Sequence, residues 1–277
     1  MIPAAFDYEV AESVGHAVSL LGEREDAKLL AGGHSLLPLL RLRAIRPSLI
    51  VDVGRLEELS YVRDAGGTVA IGALTRHQDV ATAPLLQEHN PLVSYVAGLI
   101  GDPQVRHRGT IGGSLAHGDP ASDLPAVLLA LDGEVDVAGA DGVRTVAAVD
   151  FFTGVFTTAA GPREIVTEIR VPKLGGGHVW SYLKFHRRAQ DWATVGVAAV
   201  AERSNGGVSN AAIALVNMGA TPVRATAAEA AWNAGEDAGA AADVGTEPPT
   251  DTNASAEFRR HLARVLVGRA ILEALAG

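Results

Sequence analysis

The chain has 277 residues, 48% hydrophobic and 20% charged, which permits one large folded domain or two and excludes a disordered or fibrous chain. Its 23 Lys and Arg against 32 Asp and Glu give a net charge of −9, which argues against nonspecific nucleic-acid binding because phosphate neutralisation needs a positive surface. With no cysteine, the chain can build no disulfide, thiolate nucleophile, Cys-ligated zinc or iron–sulfur cluster of its own.

The N-terminal residues lack a basic stretch followed by an apolar one, and no apolar run reaches the ~20 residues of a membrane span, so a cytoplasmic protein is expected. Val10, Val14, Ala17, Val18 and Leu21 fall at helical spacing; Lys28 to Ala31 reads as a strand ending in the Gly32-Gly33 turn. A helical Leu-Leu-Pro-Leu-Leu stretch and a strand at Leu49 to Val53 follow, giving a small α/β lobe. Ser60 to Arg63 and Thr68 to Ile71 flank Asp-Ala-Gly-Gly as a hairpin. After a helix around Leu92 to Ile100, the Gly-, Pro- and His-rich segment 101–120 reads as a long ordered loop, too polar for the core. Asp123 to Leu131 reads as a one-faced helix capped by Ser122 or Asp123. Strands fit Glu134 to Val137, Arg144 to Ala147 and Ile165 to Val171, and Leu174 to Gly177 marks a boundary. Beyond it come strands at Val179 to Phe185, Ala193 to Val200 and Ala211 to Val216, and a helix at Ala225 to Trp232. Residues 235–254 read as a flexible surface loop, and a last amphipathic helix carries Phe258, Leu262, Val265, Leu266 and Leu272.

Two glycine-bearing segments stand out: Ala31, Gly32, Gly33, His34 and Ser35, and Thr110, Ile111, Gly112, Gly113 and Ser114. Adjacent glycines let backbone N–H groups approach a diphosphate without an intervening side chain, and Ser35, Thr110 and Ser114 add hydroxyls. An anion at the first would face a helix N-terminus. Each pair alone also fits a plain turn. Neither matches GxGxxG or GxxxxGK[ST], which disfavours Rossmann and P-loop folds; two such loops some eighty residues apart fit two lobes cradling one dinucleotide. His107 and His117 lack a third ligand at metal spacing, so no metal site is expected.

The motifs AGGHSLLPLLRLR at 31–43, IGALTRH at 71–77, TIGGSLAHGDPASDLPA at 110–126 and YLKFHRRAQDWATVGVA at 182–198 give the chain a resemblance, over essentially its whole length, to the FAD-binding medium subunits of molybdenum hydroxylases, nearest the carbon monoxide dehydrogenase type. The resemblance implies an α+β fold: two flavin-binding lobes of the vanillyl-alcohol-oxidase type, at 1–53 and 54–173, and a C-terminal α+β domain at 178–277. It implies noncovalent FAD on main-chain N–H groups of 31–35 and 110–114, with Asp123 bonding a cofactor hydroxyl or amide. Lys184 and the backbone of Val166 would lie near the flavin ring, and Trp192 beside it. Asp123 also reads as a helix cap, Lys184 as a solvated strand lysine, Trp192 as a packed residue and Arg187-Arg188 as a surface pair. His34 sits where some related oxidases attach FAD covalently.

By the same resemblance, a large subunit would carry the molybdenum cofactor and a small one the [2Fe–2S] clusters, in a dimer of heterotrimers. This chain would supply no catalytic residue; it would take electrons singly and pass them to an acceptor the sequence does not name. Two rivals are a self-contained flavin oxidase and a noncatalytic assembly subunit.

Overall fold

The structure is a computed structural model and describes residues 2–204 and 206–277. The chain opens with strand β1 (Asp7–Val10), helix α1 (Val14–Glu23), β2 (Lys28–Leu30), α2 (Leu36–Leu42) and β3 (Leu49–Asp52). Ser13 caps α1 by accepting from the His16 N–H, so the helix starts after Val10, which belongs to β1. The three strands form a parallel sheet in the order β1-β3-β2. Leu49, Ile50 and Val51 are buried, the continuous apolar run expected of a strand covered on both faces.

β4 (Val62–Ala65) and β5 (Thr68–Gly72) form the expected hairpin, with Gly66 at φ +77° and its N–H on the Asp64 carboxylate. Helices α3 (His77–Thr82), α4 (Pro84–His89) and α5 (Pro91–Gly98) follow. The segment expected as a loop, 101–120, contains two helices, α6 (Pro103–Arg106) and α7 (Ile111–His117). Both are too short to show periodicity, yet α7 buries Ile111 and Leu115.

Helix α8 (Asp123–Ala130) is buried on all sides rather than one. It runs between two antiparallel sheets. The first, in the order β4-β5-β10-β6-β7, adds β6 (Glu134–Gly139), β7 (Gly142–Ala147) and β10 (Ile165–Pro172), with α9 (Ala148–Phe151) and the small pair β8 (Phe152–Gly154) and β9 (Thr157–Thr158) inserted. The second, in the order β11-β12-β13-β14, comprises β11 (His178–Phe185), β12 (Val195–Ser204), β13 (Gly207–Val216) and β14 (Val223–Arg224). Tyr182, Ala198, Val200, Ala214 and Val216 of this sheet join the core around α8. Its other face packs under α10 (Thr226–Ala234) and α11 (Ala256–Ala276). Residues 235–254, expected to bury little, insert Ala238 and Ala242 into this layer, because alanine is small enough to pack without a strand or helix around it. Among the described residues no helix is long and apolar enough to cross a membrane.

A charge network crosses the first antiparallel sheet. Arg170 reaches both oxygens of Asp136, at 2.6 and 2.7 Å, as well as Glu168 and Glu134. Glu168 also accepts from Tyr61 at 2.6 Å and Arg63 at 2.5 Å. The Arg170 fork holds the Asp136 carboxyl below its usual range. Burial pushes Glu168 up, but bonds from Tyr61, Arg63 and Arg170 outweigh it and leave the carboxyl lowered. Carboxylates so depressed stabilise the fold above their unfolded values, about pH 4, and lose that contribution as pH falls through the lower folded values. Arg170→Met is therefore expected to cost roughly 3 kcal/mol at pH 7. Urea denaturation should show this gap from wild type closing as the pH is lowered towards about 3.

Candidate flavin site

The first glycine loop leaves the end of β2 and turns into α2. Gly33 holds φ +79°, and its carbonyl accepts from the Leu37 N–H at 2.9 Å, which ties the loop to the first turn of α2. Among the described residues no hydrogen bond takes up the N–H groups of Gly32, Gly33, His34 or Ser35. Gly32 and Gly33 are buried, whereas His34 and Ser35 are exposed.

The second loop is built differently. Thr110 caps α7, its hydroxyl accepting from the Gly113 N–H at 3.2 Å. The Ile111 and Gly112 N–H groups donate to the carbonyls of Thr75 and Ala73, and that of Ser114 to Thr110. Four of the five amides of this loop, those of Ile111 to Ser114, brace the first turn of α7 against the chain leaving β5, and that of Thr110 has no acceptor among the described residues. The Ser114 hydroxyl, half-buried, has no partner among the described residues, and the buried Thr110 hydroxyl keeps a proton beyond the bond it accepts from Gly113. Glycine is required at 112, because a Cβ there would lie 2.5 Å from the Ala73 Cβ.

The two loops meet. A Cβ on Gly32 would fall 2.3 Å from the Arg108 carbonyl oxygen and 2.9 Å from the Gly109 Cα, and one on Gly113 would lie 4.0 Å from the Ala31 Cβ. The motif at 71–77 completes this junction. Arg76 donates to the Arg108 carbonyl, and the His77 N–H donates to Gly109 at 3.0 Å. The His77 ring is buried behind the junction, and burial next to His34, Arg106 and Arg76 pushes it down to about 4, so it is neutral.

Asp123 and Lys184 are also brought together. Ser122 occupies the cap position of α8 without a side-chain bond, and the Asp123 carboxylate turns away from the helix end. One of its oxygens accepts from Tyr182 at 2.6 Å and the other from Lys184 at 2.9 Å. The Asp123 and Lys184 side chains are 7% and 6% exposed, so Lys184 is not a solvated strand lysine. Burial, reinforced by Asp123, pushes the Tyr182 phenol well up and keeps it protonated. Opposite Lys184 stands Gly196, where a Cβ would lie 2.9 Å from the Tyr182 hydroxyl. Sequence reasoning missed Tyr182; its i, i+2 spacing from Lys184 on a strand puts both on one face, which was the available signal.

Val166 is buried in β10, just before a bulge against β6, and the next carbonyl, of Thr167, accepts from the Ala73 N–H. Trp192 is 68% exposed and is not a packed core residue. It lines an open cleft of about 560 Å³ with Asp119, Arg187, Arg188, Asn217 and Arg259. Arg259 is wholly buried beneath that cleft, donating to the carbonyls of Thr194 and Pro249 and to Asp251.

Removing one partner of a buried pair strands the other charge. Lys184→Met should cost about 3–5 kcal/mol, and Tyr182→Phe about 1–2 kcal/mol for the lost hydroxyl bond. In a denaturant-based double-mutant cycle, Asp123→Asn with Lys184→Met should be less damaging than the sum of the two.

Residues 4–174 match the family model for the FAD binding domain in molybdopterin dehydrogenase, and residues 180–274 that for the CO dehydrogenase flavoprotein C-terminal domain. The carbon monoxide dehydrogenase medium chain of Hydrogenophaga pseudoflava is 42% identical over 98% of this chain and 97% of its own length. Subunit alpha of the 6-hydroxypseudooxynicotine dehydrogenase complex of Paenarthrobacter nicotinovorans is 39% identical over 99% and 96%. A solved structure of the Hydrogenophaga pseudoflava carbon monoxide dehydrogenase superimposes with a TM-score of 0.97 at 44% identity, over 100% of this chain and 99% of that one. The chain therefore belongs to the FAD-binding medium subunits of the molybdenum hydroxylases, the family that includes the carbon monoxide dehydrogenase medium chains.

Proposed function

We propose that this chain is the electron-transfer flavoprotein subunit of a molybdenum-containing hydroxylase. It receives electrons from [2Fe–2S] clusters on a small partner subunit and passes them to an external acceptor, while a large subunit oxidises the substrate at a molybdenum cofactor. The observation that carries this reading is the junction of the two glycine loops, where Gly32 lies on the Arg108–Gly109 backbone and the amides of residues 32–35 stay unengaged. A side-chain-free backbone with free donors suits a dinucleotide's diphosphate. When bound, FAD supplies the exchange of single electrons on one side for a pair on the other.

The chain's own residues bind and orient. Ala31, Gly32, Gly33, His34 and Ser35 offer main-chain donors, and Thr110 and Ser114 offer hydroxyls. Ile111, Gly112 and Gly113 shape the wall between them. Asp123, whose two oxygens hold Tyr182 and Lys184, keeps lone pairs for a cofactor hydroxyl, and the Lys184 ammonium keeps protons beyond the one given to Asp123. The Val166 backbone and the exposed Trp192 indole bound the ring's place. The three larger sheets support a division into flavin-binding lobes at 1–53 and 54–173 and a C-terminal domain at 178–277.

The relatives support a multi-subunit assembly, since they are named as medium chains or as subunits of complexes. So does the cysteine-free sequence, which cannot ligate iron–sulfur clusters. The assembly in this reading is a cytoplasmic dimer of heterotrimers. Purified with its native partners and precipitated with acid, the protein should release its yellow colour to the supernatant, because the flavin is held noncovalently. The chain alone should oxidise no organic substrate. Colour that stays in the pellet, or substrate turnover by the isolated chain, refutes the assignment.

A further inference from the structure

Arg76 stands between β5 and α3, where the two glycine loops are joined. Its backbone forms an isolated antiparallel bridge with Thr110, the first residue of the second loop. Its guanidinium donates to the Arg108 carbonyl, the oxygen that lies against Gly32 of the first loop. Arg76 therefore braces the second loop by backbone and side chain at the point where Gly32 of the first loop packs against it.

The same side chain carries an unanswered charge. Arg76 is partly buried, and among the described residues no carboxylate comes within salt-bridge distance of it. The nearest acidic influences are Asp79 and Asp52. Asp52 already accepts from the Tyr8 hydroxyl and, at 2.7 Å, from the Gly54 N–H. The other groups around Arg76 add positive or neutral character. Arg108 is exposed beside it, Arg106 spends its fork on Gln78 and on the carbonyls of Ile100 and Gly101, and the His77 imidazole is neutral. Burial, with Arg108 close by, lowers the tendency of Arg76 to hold its proton, the mark of a cation with too little counter-charge. A chain with a net charge of −9 has concentrated three arginines and His34 around this one junction.

A partly desolvated, unpaired guanidinium is costly to the folded chain unless an anion completes it. The planar fork matches a pair of phosphate oxygens, and only one of its N–H groups is committed to Arg108. The second loop supports the same reading from the other side, since its amides from Ile111 to Ser114 are consumed internally and leave that of Thr110 as its one main-chain donor among the described residues.

We propose that Arg76 is the charge-neutralising residue of the diphosphate subsite; this rests on the flavin-binding reading above. Arg76→Met and Arg76→Lys, made in the full-length chain in the assembly in which it purifies, can be stripped of flavin and retitrated with FAD by fluorescence quenching. Arg76→Met should raise the FAD Kd about 10- to 100-fold, as expected for a charge-assisted bond to phosphate. Arg76→Lys should fall between it and the parent. The FAD Kd of the methionine variant should also depend less steeply on salt than the parent's, because the screened charge is gone. Its flavin-free melting temperature should be unchanged or higher, since a desolvated charge has been removed. A Kd within about twofold of the parent's overturns the proposal. So does a weaker Kd with an unaltered salt dependence, or one accompanied by a lowered flavin-free melting temperature, either of which marks a merely structural arginine. A parent chain that binds no FAD refutes the flavin-binding reading itself and this proposal with it.

Discussion

The carboxylate of Asp123 is the point on which the molecule's geometry turns. It sits at the start of a helix buried on every side, where an unpaired charge would be untenable, and both oxygens are answered from one strand of the C-terminal sheet. Tyr182 and Lys184 reach it because alternate residues on β11 share a face, and the glycine at 196 leaves room for the phenol. The pair contributes little net stability compared with an apolar replacement of the same volume. Its value is in geometry. It fixes the register between α8, which follows the second glycine loop by a few residues, and the sheet that carries Lys184 and leads to Trp192. The ammonium is thereby held in one place by a bond that leaves some of its protons uncommitted.

The two glycine loops look alike in sequence and differ in what they offer. In the first, a parallel strand delivers the chain into a turn whose amides remain free. In the second, the same residue types fold into the first turn of a helix whose amides are taken by residues 73–75 and by Thr110. The difference comes from what lies behind each loop. Behind Gly112 is the backbone leaving β5, so close that no side chain fits, and hydrogen bonding to it is the only way to bury those amides. Free donors and spent donors therefore sit on opposite walls of one junction, and the positive charge beside it belongs to side chains rather than to the peptide backbone alone.

How much of this is legible in the sequence follows from size and periodicity. The long strands β10 to β13 show apolar runs bounded by turn residues, and the hairpin at 62–72 announces itself through Asp-Ala-Gly-Gly. β1 carries no such signal, since three of its four residues are exposed and its pairing with β3 is tertiary. Helices α6 and α7 span four and seven residues, less than two full turns of pattern, so only Thr110 as a cap hints at the second. The segment 235–254 misleads because alanines read as featureless yet fit tightly against other elements. Arg259 misleads for the opposite reason: a charged residue in a helix reads as solvent-facing, whereas this one is wholly buried and satisfied by two carbonyls and Asp251. The glycine loops can be picked out from residue type, and Asp123 and Lys184 from the family resemblance, but their contacts with Arg108 and Tyr182 cannot, since both depend on elements far apart in the chain meeting.

The absence of cysteine and the −9 charge acquire a common meaning from this geometry. A chain without thiolates cannot ligate iron–sulfur clusters, so any electron it handles must pass through something it holds. An acidic chain is a poor host for a diphosphate unless positive charge is gathered where the phosphates lie. Arg76, Arg106 and Arg108 are gathered at one junction, with His77 kept neutral by burial among them. Several arginines elsewhere are neutralised in networks such as that of Arg170 with Asp136, Glu168 and Glu134. Paired arginines such as Arg170 stabilise sheets, whereas Arg76 is partly buried at the loop junction with no carboxylate in reach among the described residues, the place proposed here for a charge from outside the chain. The contrast between the two sets, rather than the total charge, locates the chemistry.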